Sequence, residues 1–138
     1  MSSDMQEFNA KIITAFRANK GAVGAPFEGA PLMLLGTTGA KSGAARTNPL
    51  AYVEDGDRMV IIASFAGAVN NPPWYHNLVA NPEVTVEVGE DKYQAKATVL
   101  GEPERTTFYD KMVVTLPVFA EYKEKTPRVI PVIALEKV

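Results

Sequence analysis

The chain has 138 residues, the size of one ordinary domain, and its 46% hydrophobic and 22% charged residues are typical of a globular protein with a buried core. A formal net charge of -2 argues against sequence-independent binding to nucleic acid, which requires a basic surface. The absence of cysteine excludes disulfides, thiolate metal sites, iron–sulfur clusters and cysteine nucleophiles.

The N-terminus has no basic stretch followed by an apolar run, as a secretory signal would. No apolar stretch approaches the roughly 20 residues needed to span a bilayer. We therefore expect a cytoplasmic protein and leave association with a membrane surface open.

The first half of the chain predicts a helix, a linker and three strands. Residues 4–19 place Ile12 and Phe16 on one face at helical spacing. This pattern favours a helix lying across the rest of the domain, with a membrane-surface or partner helix as the alternative. Residues 20–31 are rich in Gly, Ala and Pro and predict a linker. The three strands are predicted over 32–37, 46–54 and 58–64.

The second half predicts helices, a hairpin and a final strand. Pro72 and Pro73 suit a helix start, so we expect a helix over 74–80 after a loop over 65–71. Pro131 predicts that the final strand lies at a sheet edge or contains a bulge, because proline cannot donate to a ladder. The other predicted elements are hairpin strands over 83–88 and 92–100, a helix over 103–116, a short helix or loop over 117–125, and the final strand over 129–135.

These elements predict a mainly β fold with flanking helices. Short connections indicate antiparallel neighbours, and the lack of a long βαβ repeat argues against a doubly wound parallel sheet. A small closed or split β-barrel of about six antiparallel strands fits the pattern best.

The turn between the first two strands is basic and contains glycine. Lys41 and Arg46 can pair with phosphate or carboxylate, Ser42 adds a hydroxyl donor, and a turn containing Gly43 can point successive N–H groups at an anion. The segment has neither the P-loop order nor the dinucleotide fingerprint. The alternative is a solvated hairpin tip.

A second candidate loop follows the third strand. Residues 64–67 are mostly small, which lets a ligand approach the backbone, although a plain loop is equally consistent with them. Trp74, the only tryptophan, follows two prolines and either fills the core, which we favour, or forms the wall of a ring-binding site. His76, the only histidine, lacks partners for metal binding or nucleophile activation and is interpreted as structural or exposed. The charged residues of 121–128 are interpreted as a solvated surface.

The sequence therefore lacks a residue set for acid–base, nucleophilic or metal catalysis, and we expect no metal. It contains instead two loops, one cationic and one near an aromatic residue, that suit a ligand with an anionic tail and a flat ring. A flavin-like cofactor has this form, and such a cofactor performs the difficult chemistry while the protein positions it.

Three segments resemble one known family. They are TTGAKSGAARTNPL (37–50), ASFAGAVNNPPWYHNLVANP (63–82) and, more weakly, EYKEKTPRVIPVI (121–133). In these motifs the chain resembles the deazaflavin-dependent nitroreductase family of actinobacteria, reductases with an FMN-binding split-barrel-like fold that use reduced coenzyme F-420 (8-hydroxy-5-deazaflavin). The resemblance covers about residues 30–136, so we expect a single domain over 1–138, made of the helix at 4–19 and a cofactor-binding barrel over 30–136.

The resemblance implies a site for each part of the cofactor. The basic turn would hold the phosphate and oligoglutamate tail, and the NPLA strand, the small-residue loop and the PWYHN segment would surround the ring. The implied cofactor-binding residues are Lys41, Ser42, Gly43, Arg46, Asn48, Pro49, Leu50, Ala51, Ala63, Ser64, Phe65, Ala66, Gly67, Pro73, Trp74, Tyr75, His76 and Asn77. Phe119 and Tyr122 would contact the substrate, and no catalytic residue is certain, with Ser64 and Tyr122 as candidates.

The resemblance implies hydride transfer from reduced F-420 to an electron-poor small molecule, such as a quinone, an α,β-unsaturated carbonyl compound or a nitroaromatic. The alternatives are an FMN-dependent split-barrel oxidoreductase and a non-catalytic flavin- or deazaflavin-binding protein. A homodimer and a peripheral membrane contact are left open. Some family members have Lys where this chain has Phe65, and Tyr where it has Ala51. These differences bear on the acceptor more than on the cofactor.

Overall fold

The computed structural model describes residues 2–18, 32–64 and 70–138, with side chains from residue 10 onward in the first range. The helices are α1 (Ser2–Ala18), α2 (Pro73–Ala80), α3 (Glu104–Thr115) and α4 (Val118–Lys125). The strands are β1 (Leu32–Thr38), β2 (Ala45–Ala51), β3 (Val53–Asp55), β4 (Arg58–Ile62), β5 (Glu83–Val88), β6 (Asp91–Val99) and β7 (Val132–Lys137). These seven strands form one sheet in the order β2-β1-β5-β6-β7-β4-β3, and every neighbouring pair is antiparallel.

The sheet curls into a split barrel with the helices around it, which confirms the predicted fold class. Strand alternation explains the inner face: Val84 and Val86 of β5 are buried, whereas Glu83 is exposed. We call the enclosed cluster the interior core. Its fully buried members are Met33, Leu35, Ile61, Ala63, Trp74, Leu78, Val84, Val86, Ala95, Ile133 and Leu135.

Helices cover the outer face of the sheet in two places. α3 packs Phe108 and Met112 against Val60 and Val132, forming a group that we call the outer core. α1 packs Phe16, which is 1% exposed, against Leu32 and Leu34 of β1. The prediction that the first helix lies across the barrel is therefore confirmed.

The expected strand over 46–54 is two strands. β2 pairs with β1 at one end of the sheet order, and β3 pairs with β4 at the other, so the chain crosses the barrel opening at Tyr52. The alternation continues through this bend, which is why the sequence indicated one strand.

The expectation that the last strand lies at an edge or contains a bulge is wrong on both counts, because β7 lies inside the sheet and its pairing with both neighbours is uninterrupted. β7 lies between β6 and β4 inside the sheet. Pro131 directly precedes the strand, where its missing N–H removes no ladder bond, and its carbonyl accepts a hydrogen bond from the Ala63 N–H at 2.9 Å. The segment 117–125 contains a helix, α4, and the predicted linker over 20–31 lies outside the described residues.

None of the described helices is both long and apolar enough to cross a bilayer.

Candidate cofactor site

The basic turn, residues 39–46, is a compact and exposed loop closed by its own hydrogen bonds. The Gly39 N–H donates to the Ala44 carbonyl at 2.7 Å, and the Gly43 N–H donates to the Gly39 carbonyl at 2.9 Å. Gly43 has a φ of 70°, which favours glycine. The Ala44 N–H donates to Ser42 Oγ at 3.1 Å, so Ser42 shapes the turn as an acceptor while its O–H can still donate to a ligand.

The turn presents donors to solvent. Lys41 and Arg46 are both exposed. Within the parts of the chain that the structure describes, the N–H groups of Lys41 and Ser42 have no hydrogen-bond partner. Two cations beside two available N–H groups are the donor set that a phosphate or carboxylate requires.

Asn77 connects the turn to α2. Its Oδ1 accepts from the Ala40 N–H at 3.0 Å, and its Nδ2 donates to Thr37 Oγ1 at 3.2 Å. Asn77 is 9% exposed and Thr37 is 4% exposed, so this pair of bonds is shielded from water. Two predicted site segments that lie 37 residues apart in sequence are therefore fixed to each other. Asn77 is predicted to contact the cofactor, and the structure adds that its side chain holds the turn.

The predicted run Asn48–Ala51 does not present one face to a ligand. Asn48 and Leu50 pair with Leu35 and Met33, so they share the inner face of the sheet. Pro49 and Ala51 lie on the outer face, where Ala51 packs between α1 and the outer core.

The two residues after β4 are both buried. Ala63 is fully buried in the interior core, and Ser64 is 7% exposed. The predicted site residues Phe65, Ala66 and Gly67 lie outside the described residues.

Arg128 braces this second segment, and the sequence interpretation missed it. Its Nη2 donates to the Ser64 carbonyl at 2.8 Å and its Nη1 donates to Asn71 Oδ1 at 2.7 Å. The charged residues of 121–128 were expected to form a solvated surface, but Arg128 is partly buried and burial lowers the pKa of its guanidinium. The only sequence signal was an arginine placed directly before the apolar final strand.

The four predicted residues at the start of α2 have different environments. Pro72 caps the helix and Pro73 occupies its first turn, as predicted. Trp74 is 5% exposed in the interior core, which favours the core interpretation over a ring-binding wall. Tyr75 is half-buried and meets the ring of the exposed His76 edge-on, with centroids 5.6 Å apart.

The two predicted substrate residues lie in an aromatic cluster with Tyr109. The ring centroids of Phe119 and Tyr122 are 5.0 Å apart, and those of Tyr109 and Phe119 are 6.4 Å apart. The Tyr109 hydroxyl donates to the Phe119 carbonyl at 2.6 Å, and burial raises the pKa of that hydroxyl. Phe119 and Tyr122 are half-buried against the outer core, the same cluster that Ala51 contacts.

Among the described residues, no group of three or more His, Asp or Glu side chains is arranged to hold a metal ion.

Comparison with known proteins identifies the family. The profile of a family described as F-420H(2)-dependent quinone reductase matches residues 10–137. An F-420H(2)-dependent quinone reductase of Mycobacterium tuberculosis (Rv1261c) is 36% identical over 126 residues, which cover 88% of this chain and 85% of that protein.

Two solved structures are similar to this chain. An F-420-H2-dependent reductase (FDR-A) gives a TM-score of 0.71 at 40% identity, covering 77% of this chain and 94% of that chain. A domain-swapped dimer gives a TM-score of 0.73 at 34% identity, covering 99% of this chain and 100% of that chain.

These comparisons confirm the family resemblance and the reductase prediction, and they give no support to the FMN alternative. The chain belongs to the F-420H(2)-dependent quinone reductase family and is an F-420H2-dependent reductase.

Proposed function

We propose that this chain binds coenzyme F-420 with its phosphate and acidic tail on the basic turn and its ring beside the distal end of β2, and that it reduces quinone-type acceptors. The observation that carries this proposal is the Asn77 bridge, which fixes the cationic turn to α2 through bonds of 3.0 and 3.2 Å. This bridge supports placing the basic turn and the start of α2 in one site.

The tail end of the proposed site fits an anion. Lys41 and Arg46 supply charge-assisted donors, and the N–H groups of Lys41 and Ser42 are available beside them. Each charge-assisted bond contributes about 1.5–3 kcal/mol, so the loss of both cations should weaken binding by a few kcal/mol.

The ring end is proposed to lie near Ala51, at the far end of β2 from the basic turn. Arg46 and Ala51 are about 17 Å apart along the strand at about 3.4 Å per residue, so tail and ring require separate contacts. Pro49 and Ala51 are half-buried apolar residues of the outer face, and they are candidates for contact with one edge of the ring beside the groups that pack against Ala51. Of the residues predicted to surround the ring, Ala63 and Trp74 support it from the interior core, and Pro73, Tyr75 and His76 remain candidates for direct contact.

The acceptor is proposed to stack between the bound ring and the aromatic cluster. The bound, reduced deazaflavin supplies a hydride. Phe119 and Tyr122 offer aromatic faces for a planar acceptor such as a quinone. Tyr122 is the better candidate for a proton donor, because the Tyr109 hydroxyl already donates to the Phe119 carbonyl. Ser64 is the second candidate.

A fluorescence titration with F-420, and separately with FMN, tests the site. We expect tight F-420 binding, weak FMN binding and oxidation of the reduced cofactor on addition of a quinone. Lys41→Gln/Arg46→Gln should raise the Kd for F-420 at least a hundredfold. Lys96→Gln is the matched control, because it removes an exposed cation from β6 outside the site. Wild-type affinity in the double variant would contradict the tail site, and binding without cofactor consumption would support a non-catalytic binding protein.

We also propose that the chain forms a homodimer, because a relative 34% identical in sequence is a domain-swapped dimer. Light scattering after size-exclusion chromatography tests this proposal, and a monomer at all concentrations would contradict it.

A further inference from the structure

Arg128 contacts Ser64, which follows β4, and Asn71, which lies two residues before α2. Its Nη2 donates to the backbone carbonyl of Ser64, and its Nη1 donates to the side-chain oxygen of Asn71. The two bonds are 2.8 and 2.7 Å long, within the range of charge-assisted hydrogen bonds. One guanidinium therefore sets the relative positions of Ser64 and Asn71.

The segment that contains Arg128 is itself fixed to the barrel. The Arg128 N–H contacts Thr126 Oγ1 at 3.4 Å, and Thr126 is 6% exposed. Arg105 of α3 donates to the Ile130 carbonyl at 3.1 Å. Arg128 is thus attached to a supported backbone, so it can impose a position on the residues it binds.

A second bond joins the same two regions. The Ala63 N–H donates to the Pro131 carbonyl at 2.9 Å, one residue before Ser64 and three residues after Arg128. The backbone bond fixes the end of β4, and the Arg128 side chain extends this attachment to Ser64 and across to Asn71. Asn71 directly precedes Pro72, the residue that caps α2.

The chemistry of arginine suits this role. A guanidinium presents several N–H donors in a rigid plane, so it can bind two acceptors at a fixed separation, whereas lysine offers a single ammonium on a flexible stem. The Arg128 side chain is also partly buried, which reduces competition from water.

We propose that Arg128 is a positioning residue for cofactor binding: it holds Ser64 and Asn71 at the separation that the ring end of the F-420 site requires. This inference rests on the proposed function, because it takes Ser64, directly after β4, to be part of the cofactor site. Arg128 itself need not touch the cofactor.

The test compares Arg128→Gln, Arg128→Lys and Asn71→Ala with Arg105→Gln as the matched control. Arg105→Gln removes a guanidinium bond to the Ile130 carbonyl, in the same supporting segment, but leaves both Arg128 bonds to Ser64 and Asn71. Two quantities are measured: hydrogen exchange of the backbone over 62–74 in the cofactor-free protein, and the Kd for F-420. Thermal unfolding confirms that each variant is folded.

We expect Arg128→Gln to speed exchange over 62–74 about tenfold or more and to raise the Kd for F-420 about 10- to 100-fold. Asn71→Ala should also speed exchange and raise the Kd, but by less. Arg128→Lys should change both quantities less than Arg128→Gln does. Arg105→Gln removes only one support of this backbone and neither Arg128 bond, so it should lower the unfolding temperature while changing both quantities much less than Arg128→Gln does. If Arg128→Gln does not fold, Asn71→Ala and Arg128→Lys provide the same comparison.

Two results would overturn the proposal. Exchange over 62–74 that stays at the wild-type rate in folded Arg128 variants would show that the guanidinium does not hold the segment. Faster exchange with an unchanged Kd would show that the segment is held but that F-420 does not depend on it. Failure of the wild-type protein to bind F-420 would instead overturn the proposed function, and exchange in the cofactor-free protein would still decide whether Arg128 holds Ser64 and Asn71.

Discussion

Asn77→Ala should weaken both the fold and cofactor binding, because the Asn77 side chain holds the basic turn against α2. The substitution removes the bonds to the Ala40 N–H and to Thr37 Oγ1. Each bond contributes about 1 kcal/mol net. Thr37 is 4% exposed, so water cannot fully replace the hydrogen bond that its hydroxyl loses. We expect the free energy of unfolding to fall by about 2–3 kcal/mol and the midpoint of thermal unfolding to fall by about 6–12 °C.

The expected loss of F-420 affinity follows from the attachment of the basic turn to α2. Without Asn77 the basic turn keeps its own bonds but loses its attachment to α2, so Lys41 and Arg46 sample more positions relative to the ring end. We expect the Kd for F-420, measured by fluorescence titration, to rise about tenfold. Asn81→Ala is the control, because Asn81 is the same residue type and its side chain makes only a 3.4 Å contact with the Thr38 carbonyl. That control should change stability by no more than about 0.5 kcal/mol.

A double-mutant cycle with Thr37→Val isolates the buried bond. Thr37→Val leaves the Asn77 amide without its acceptor, and Asn77→Ala leaves the Thr37 hydroxyl without its donor. The double variant should therefore be about 0.5–1.5 kcal/mol more stable than the sum of the single effects predicts. Simple additivity, or wild-type F-420 affinity in a destabilised Asn77→Ala variant, would refute the reasoning that this bridge organises the site.

Three further predictions concern the turn, the outer face of the sheet and the acceptor side. A Cβ at Gly39 would lie 2.5 Å from Ser42 Oγ, so Gly39→Ala should destabilise the protein by about 1–2 kcal/mol in urea unfolding. Adding Ser42→Ala should restore most of the lost stability. If the second substitution restores none of it, the strain does not come from Ser42. The Arg17 guanidinium holds the pKa of Glu87 in the folded protein below its ordinary value of 4.5. As pH falls, the unfolded chain therefore binds a proton at Glu87 before the folded protein does. The stabilisation from the Arg17–Glu87 pair is complete above pH 4.5 and is lost as pH falls through the lower pKa of the folded protein. Because Arg17 is half-exposed, Glu87→Gln should cost no more than about 1 kcal/mol at pH 7 and flatten the acid side of the stability curve; a curve parallel to that of the wild type would contradict the assignment. Tyr122→Phe should lower kcat with a quinone about a hundredfold at unchanged F-420 affinity, whereas an unchanged kcat would move the proton-donor role to Ser64 or to solvent.

Elements with strong local signals were predictable from the sequence. The hairpin β5–β6 alternates with period two on both sides of a glycine turn, and α2 lies between two prolines and an Asn-Pro pair. The break at Tyr52 was not predictable in this way, because alternation records which face a residue occupies but not which strand it pairs with. The same limit applies to β7, whose interior position depends on pairing with β6 and β4 far along the chain.

The sequence indicated candidate site residues, and the structure adds the long-range contacts that position them. The basic turn was identified from its cations, and those cations are exposed as expected. The role of Asn77 depends on a hydrogen bond to a residue 40 positions away, and that of Arg128 on one to a residue 64 positions away. Composition and spacing contain no information on such contacts, and a charged side chain near lysines and glutamates gives no local sign that it is partly buried.

Both of these long-range links act on α2. Asn77 attaches the body of the helix to the basic turn, and Arg128 holds Asn71, which directly precedes the helix cap. The same helix buries Trp74 and Leu78 in the interior core. The position of α2 therefore depends on core packing, and through its two links that position determines where the tail end and the ring end of the proposed site lie. For this reason, a core residue beneath α2 affects F-420 affinity indirectly, through the position of the helix. Measuring both F-420 affinity and the free energy of unfolding in the same variant separates this indirect effect from the loss of a direct contact with F-420.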